Sequence, residues 1–141
     1  MKIELTYTEI MEYLRRHVGR EVELSYVSEK TVRVVTEVEY RLLRKHMLDV
    51  DVYLSLDEID GTGLFLSYVF PSSSMDTIVR GTLPLLRSKI SEKLPMIDML
   101  NGNNVVVHLN KISQLRDALK NVEIKDIYFK TNNILLTLKL K

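Results

Sequence analysis

One segment with helical periodicity lies between stretches that alternate with period two, and this contrast constrains the fold most. From Ser74 to Leu94 the apolar residues recur at steps of three and four, which line one side of an α-helix. Pro84 falls inside this pattern and predicts a bend or a break, because proline lacks a backbone donor. The pattern therefore predicts an α+β fold in which a curved antiparallel sheet wraps around one long, Pro-bent helix.

The residues before this segment predict a short helix followed by a meander. Thr6 with Glu9 forms a capping box, and Gly19 is the expected end of the helix. Apolar and polar residues then alternate through four strands between residues 22 and 70. Asp60-Gly61 predicts the hairpin turn that precedes the last of these strands.

The residues after the long segment predict one strand, a short helix and two closing strands. The strand begins at Val105, and Asn110 is the expected cap of the short helix. The closing strands are expected within residues 122–129 and 134–140, with a bulge near Lys125-Asp126 where the apolar parity changes. No stretch rich in Pro, Gly or Ser divides the sequence, so a single domain over residues 1–141 is expected.

Composition excludes several classes of function. Twenty basic residues nearly balance nineteen acidic ones, so net charge does not favour nucleic-acid binding. The lack of cysteine excludes disulfides, thiolate nucleophiles and cysteine-based metal sites. No apolar run is long enough to span a membrane. We expect a cytoplasmic protein if Met1 is the true start, and an exported one if an N-terminal segment has been removed.

Few residues have the pattern of a catalytic or metal site. The three histidines lack metal-ligand spacing, and no nucleophile motif is present. Asp49 and Asp51 project from the same face of one predicted strand, where they could pair for a divalent cation or for acid–base chemistry. Charged residues also belong on the solvent face of such a strand. We therefore expect no enzyme activity, no metal and no cofactor, and keep the aspartate pair as an alternative.

A basic and aliphatic cluster lies between two of the predicted strands. Such a mixture at a protruding tip suits an anionic membrane surface. Aromatic residues that could stack on bases are absent there, so single-stranded nucleic acid is a poorer fit. In the alternative interpretation the leucines continue into the core and the cations remain in solvent. The expected contact residues are Arg41, Leu43, Arg44, Lys45 and Met47.

The order of elements resembles that of the tubular lipid-binding (TULIP-like) modules, including small bacterial versions. The C-terminal part carries the resemblance most clearly, over Asn104–Leu109, Lys111–Leu115, Val122–Phe129 and Ile134–Leu138. The resemblance implies a sheet rolled around a helix, with an apolar tube that accepts an acyl chain. Members of that family are commonly exported, and this sequence departs from them in that no export signal is visible.

Together these patterns predict a non-enzymatic binding module with an apolar interior for a lipid or a similar hydrophobic ligand. The alternative is a structural or interaction protein with a solid core, which would associate through a sheet edge or through the basic tip. The expected ligand-lining residues are Val34, Val38, Val50, Val52, Leu54, Leu66, Tyr68, Ile78, Leu86 and Ile90.

Overall fold

Strands dominate the fold. The computed structural model of the chain describes residues 1–41, 45–71, 87–88 and 90–141. The described strands are β1 (Lys2–Thr6), β2 (Val22–Ser28), β3 (Thr31–Arg41), β4 (Lys45–Asp60), β5 (Gly63–Val69), β6 (Ile97–Met99), β7 (Asn104–His108), β8 (Val122–Phe129) and β9 (Asn133–Leu140). The described helices are α1 (Tyr7–Val18), a 3₁₀ turn (Leu109–Lys111) and α2 (Ser113–Arg116), and residues 87–88 and 90–93 are also helical.

The strands form two antiparallel sheets. The larger sheet has six strands in the order β2-β3-β4-β5-β7-β6, and the smaller has three in the order β1-β9-β8. Strands β2 to β5 form the expected meander, and β3 pairs with β4 along its whole length, from Thr31 opposite Ser55 to Arg41 opposite Lys45. Because β3 and β4 are long, the larger sheet extends much further along its strands than the smaller sheet does.

The first helix has the ends that its sequence predicts. The Thr6 hydroxyl accepts a hydrogen bond from the Glu9 N–H at 3.1 Å, and a Glu9 carboxylate oxygen accepts one from the Thr6 N–H at 3.2 Å. Gly19 closes the helix with φ +78°, a conformation that strains other residues. The helix lies along β2, where the Met11 sulfur accepts a hydrogen bond from the Leu24 N–H.

The main core is the set of apolar side chains between the two sheets. The smaller sheet contributes one face of β8 and β9, in which Ile127 and Leu136 are each only 1% exposed. The expected bulge occurs between Ile124 and Asp126, and it brings the apolar side chains on both sides of it to the same face. The larger sheet contributes Val32 and its neighbours on β4 and β5.

A polar latch also joins the two sheets. Lys30, in the β2–β3 turn, donates from Nζ to Asp126 Oδ1 and to the Ile127 carbonyl, both at 2.7 Å. Its ammonium group lies 4.6 Å from the centre of the Tyr128 ring. The Phe129 N–H donates to the Glu29 carbonyl at 2.9 Å. These contacts cover part of the free edge of β8, which would otherwise present unpaired backbone groups.

The expectation of one sheet wrapped around a long helix is wrong. The described residues are mostly strand, and they form two antiparallel sheets and only short helices. Most of the segment in question falls on residues 72–86 and 89, outside the described residues. The physical reason for the error is that periodicity identifies apolar faces without identifying which faces meet. Among the described residues, the larger sheet packs against the smaller sheet.

Three smaller features also differ from the sequence analysis. Strand β1 was not expected, and its apolar residues Ile3 and Leu5 pack against the main core. Strand β6 was not expected either, because its three residues are too few for a clear alternation. Ile112, not Asn110, precedes α2, since the residues around Asn110 form the 3₁₀ turn.

Candidate functional site

The larger sheet has one continuous apolar face, which follows from the pairing of its strands. Residues directly opposite each other in antiparallel strands share a face. Val34 lies opposite Val52, and Leu54 lies opposite Tyr68. Leu66 lies opposite Val105, which in turn lies opposite Met99. The same face therefore extends from β2, at one edge of the sheet, to β6 at the other.

Only part of this apolar face packs into the main core. The rest forms a second group of apolar side chains, here called the outer cluster. Its buried members are Val52, Tyr68 and Val105, and its half-buried members are Val34, Val50, Leu54, Phe70, Ile97 and Met99. Leu54 alone also packs against the main core, so it marks the border between the two regions.

Polar groups border the outer cluster at the turn between β6 and β7. The Tyr68 hydroxyl donates to the Gly102 carbonyl at 3.3 Å, while the Tyr68 ring packs edge-on against Phe70 with 5.6 Å between centroids. At the same turn, Arg87 donates from Nη2 to the Leu100 carbonyl at 3.3 Å. The outer cluster therefore has apolar walls and a polar end.

Arg87 contains an unusual buried donor. Its Nε is buried and has no hydrogen-bond acceptor among the described residues. A buried donor without an acceptor typically costs about 1–3 kcal/mol, and more when the group is charged. Natural proteins rarely leave such a group unpaired unless it has a role.

Most of the expected lining residues for which side chains are described lie on this face. They are Val34, Val50, Val52, Leu54, Leu66 and Tyr68. Ile90 is half-buried in the helical residues that precede β6. Ile78, Leu86 and the side chain of Val38 lie outside the described residues. Whether these residues line a ligand site stays a prediction.

The basic tip is mostly outside the described part of the chain. Residues 42–44 are not described, and neither are the side chains of Arg41 and Lys45, although these two residues pair in register. Met47 is described and is 43% exposed. The expected contacts with an anionic membrane surface through Arg41, Leu43, Arg44, Lys45 and Met47 stay a prediction. Among the described residues, no helix is long and apolar enough to span a bilayer.

Asp51, one of the two aspartates of the predicted pair, contacts Arg33 on the neighbouring strand β3. Asp51 accepts hydrogen bonds from Nε and Nη2 of Arg33 at 2.8 and 2.6 Å. These hydrogen bonds lower the pKa of Asp51 and raise the pKa of Arg33. Within the described residues, no group of three or more acidic or histidine side chains could hold a metal ion. Asp51 therefore forms an ion pair with Arg33 on the polar face of the sheet.

The described histidines have ordinary local partners. The His17 ring stacks on Tyr13 with 4.1 Å between centroids. His108 Nε2 lies 2.8 Å from Asp98 Oδ2, on the face of β6 and β7 opposite the outer cluster. Neither arrangement includes a nucleophile or a third ligand among the described residues.

Sequence reasoning missed the rest of the outer cluster. Phe70 has the same parity as Tyr68 and could have been found from it. Ile97 and Met99 alternate, but over too short a run to indicate a strand. The sequence pattern did not indicate Arg87 as a site residue, because a charged residue within a helical pattern is normally on the solvent face.

Comparison with known proteins adds no assignment, since no family model, no curated protein and no solved structure significantly matches the chain. The resemblance to the tubular lipid-binding modules stays a prediction.

Proposed function

We propose that this chain is a non-enzymatic module that binds a lipid or a similar apolar ligand on the outer cluster. The observation that carries the proposal is the division of one apolar face into two regions. The covered region contains the most completely buried side chains of the described residues, whereas six of the nine members of the outer cluster are only half-buried. An apolar surface that is only partly covered is typical of ligand sites.

The composition of the outer cluster supports the same proposal. Three of its members are valines on the adjacent strands β3 and β4, and small side chains leave more room above a sheet than Leu or Phe would. Tyr68 and Phe70 supply flat aromatic surface beside them. An acyl chain needs a wall of this kind and no specific polar partner along its length.

The test begins with protein purified from cells and analysed by native mass spectrometry for co-purifying lipid. Binding of N-phenylnaphthylamine, a neutral apolar dye, then measures the site directly. Val34→Phe adds bulk to the outer cluster and is expected to weaken dye binding by about fivefold or more, because it fills space that the dye would occupy.

Val35→Phe is the matched control. Val35 is the next residue on β3, is also half-buried and projects from the opposite face of the sheet. This variant should bind the dye within about twofold of the wild type. A wild-type protein that carries no lipid and binds no dye would overturn the proposal. It would favour an interaction protein, for which the edge strand β2 exposes Tyr26 and Val27 by 41% and 45%.

A further inference from the structure

Arg87 lies at the border of the outer cluster. Its Nη2 donates to the carbonyl of Leu100, the residue directly after Met99, and Met99 packs against the cluster. Tyr68, a buried member of the cluster, donates its hydroxyl to the same turn at Gly102. The guanidinium group therefore lies at the end of the apolar wall where the two polar contacts meet.

The hydrogen bonding of Arg87 is incomplete. Its Nε is buried without an acceptor in the part of the chain that the structure describes. Arg33 shows what the same group does when an anion is present, since its Nε and Nη2 both donate to Asp51. None of the ion pairs among the described residues involves Arg87. The guanidinium group is a cation, so the buried Nε–H is the donor of a charged group.

We infer that the ligand is a single-chain amphiphile with an anionic head, in which a carboxylate or phosphate oxygen accepts the Arg87 Nε–H while the chain lies on the outer cluster. This inference rests on the proposed function and narrows it to a class of ligand. Arginine suits both heads, because its planar donors match the oxygens of carboxylates and phosphates. A neutral head such as a hydroxyl can accept the same hydrogen bond, but it has no negative charge to strengthen its contact with the guanidinium group.

The experiment compares ligands of equal chain length that differ only in the head. Dodecanoic acid, dodecyl phosphate and dodecanol each compete with N-phenylnaphthylamine at about pH 8, where the carboxyl group is ionised. For the wild type, at least one of the two anions should displace the dye at a concentration about tenfold lower than dodecanol requires. The anion that displaces the dye at the lower concentration shows whether the site prefers a carboxylate or a phosphate head.

Arg87→Gln should remove this preference, so that the anions and dodecanol, each compared through that variant's own measured dye affinity, compete within about twofold of one another. Arg116→Gln is the matched control. The Arg116 Nε donates to a backbone carbonyl, that of Asn110, on an exposed part of α2, so the preference should remain. Circular dichroism verifies that both variants are folded.

The outcomes separate the inference from the proposed function. If the wild type binds dye and dodecanol but does not prefer either anion, the proposed function stands and the inference about Arg87 is overturned. A preference that survives Arg87→Gln in a folded protein also overturns it. If neither the dye nor any of the three competitors binds, the proposed function itself fails, and the inference fails with it.

Discussion

Two regions of one sheet face have different surroundings in this protein. The region around Val32 packs against the smaller sheet and contributes to a core in which Ile127 and Leu136 are almost fully buried. The outer cluster continues the same face, with the same alternation of residues, yet members such as Val34 and Val50 stay half-buried. The comparison shows that alternation determines which side chains share a face, whereas the covering element determines whether they act as core or as a surface for binding.

The largest expected effect is the loss of stability when the main core is truncated. Leu136→Ala should lower the free energy of unfolding by about 3–5 kcal/mol, because it leaves a cavity between two sheets that cannot collapse around it. Val50→Ala in the outer cluster should cost less than about 1 kcal/mol, since its side chain is already partly in solvent. Urea denaturation of both variants measures the difference. Equal losses would mean that the outer cluster is part of the structural core.

A smaller effect on stability is expected from the polar latch, in which Lys30 binds Asp126 and joins the two sheets. The hydrogen bond from Lys30 lowers the pKa of Asp126, with further contributions from Tyr128 and from the Ile127 N–H. A carboxyl whose pKa is lower in the folded state stabilises the fold above its unfolded pKa of about 4. That stabilisation is lost as the pH falls through the lower, folded pKa.

Asp126→Asn should therefore lose less stability than the wild type between about pH 7 and pH 3, since it has no carboxylate to protonate. The effect is modest, because the Asp126 side chain is 35% exposed and solvent screens its ion pair. Asp117→Asn provides the control at an exposed aspartate outside the ion pairs of the described residues. If Asp126→Asn and Asp117→Asn have the same pH dependence, the latch does not contribute to acid stability.

The sequence predicts the local structure of this protein better than its assembly. The ends of α1 were predictable because Thr6, Glu9 and Gly19 interact within one helix. The bulge before Asp126 was predictable because the parity of the apolar residues changes there. Strand β1 was missed because its two apolar residues also fit the entry to α1, and only its pairing with β9 distinguishes these interpretations. Contacts between distant segments leave no local signature of this kind.

The same limit applies to the candidate site. The shared face of Val34, Val52 and Tyr68 was predictable, since strand parity and meander order fix it. The border between the outer cluster and the main core was not predictable, because it depends on how far the smaller sheet extends over the larger one. The position of Arg87 was not predictable either, because its contact with Leu100 joins two separate segments of the chain.

Methyl-resolved NMR tests most directly whether the outer cluster binds a ligand. Dodecanoic acid, added to isotopically labelled protein below its micelle concentration, should shift the methyl signals of Val34, Val50 and Val52 while those of Ile127 and Leu136 stay in place. Unchanged signals from the three valines, or shifts spread equally over both regions, would contradict the account.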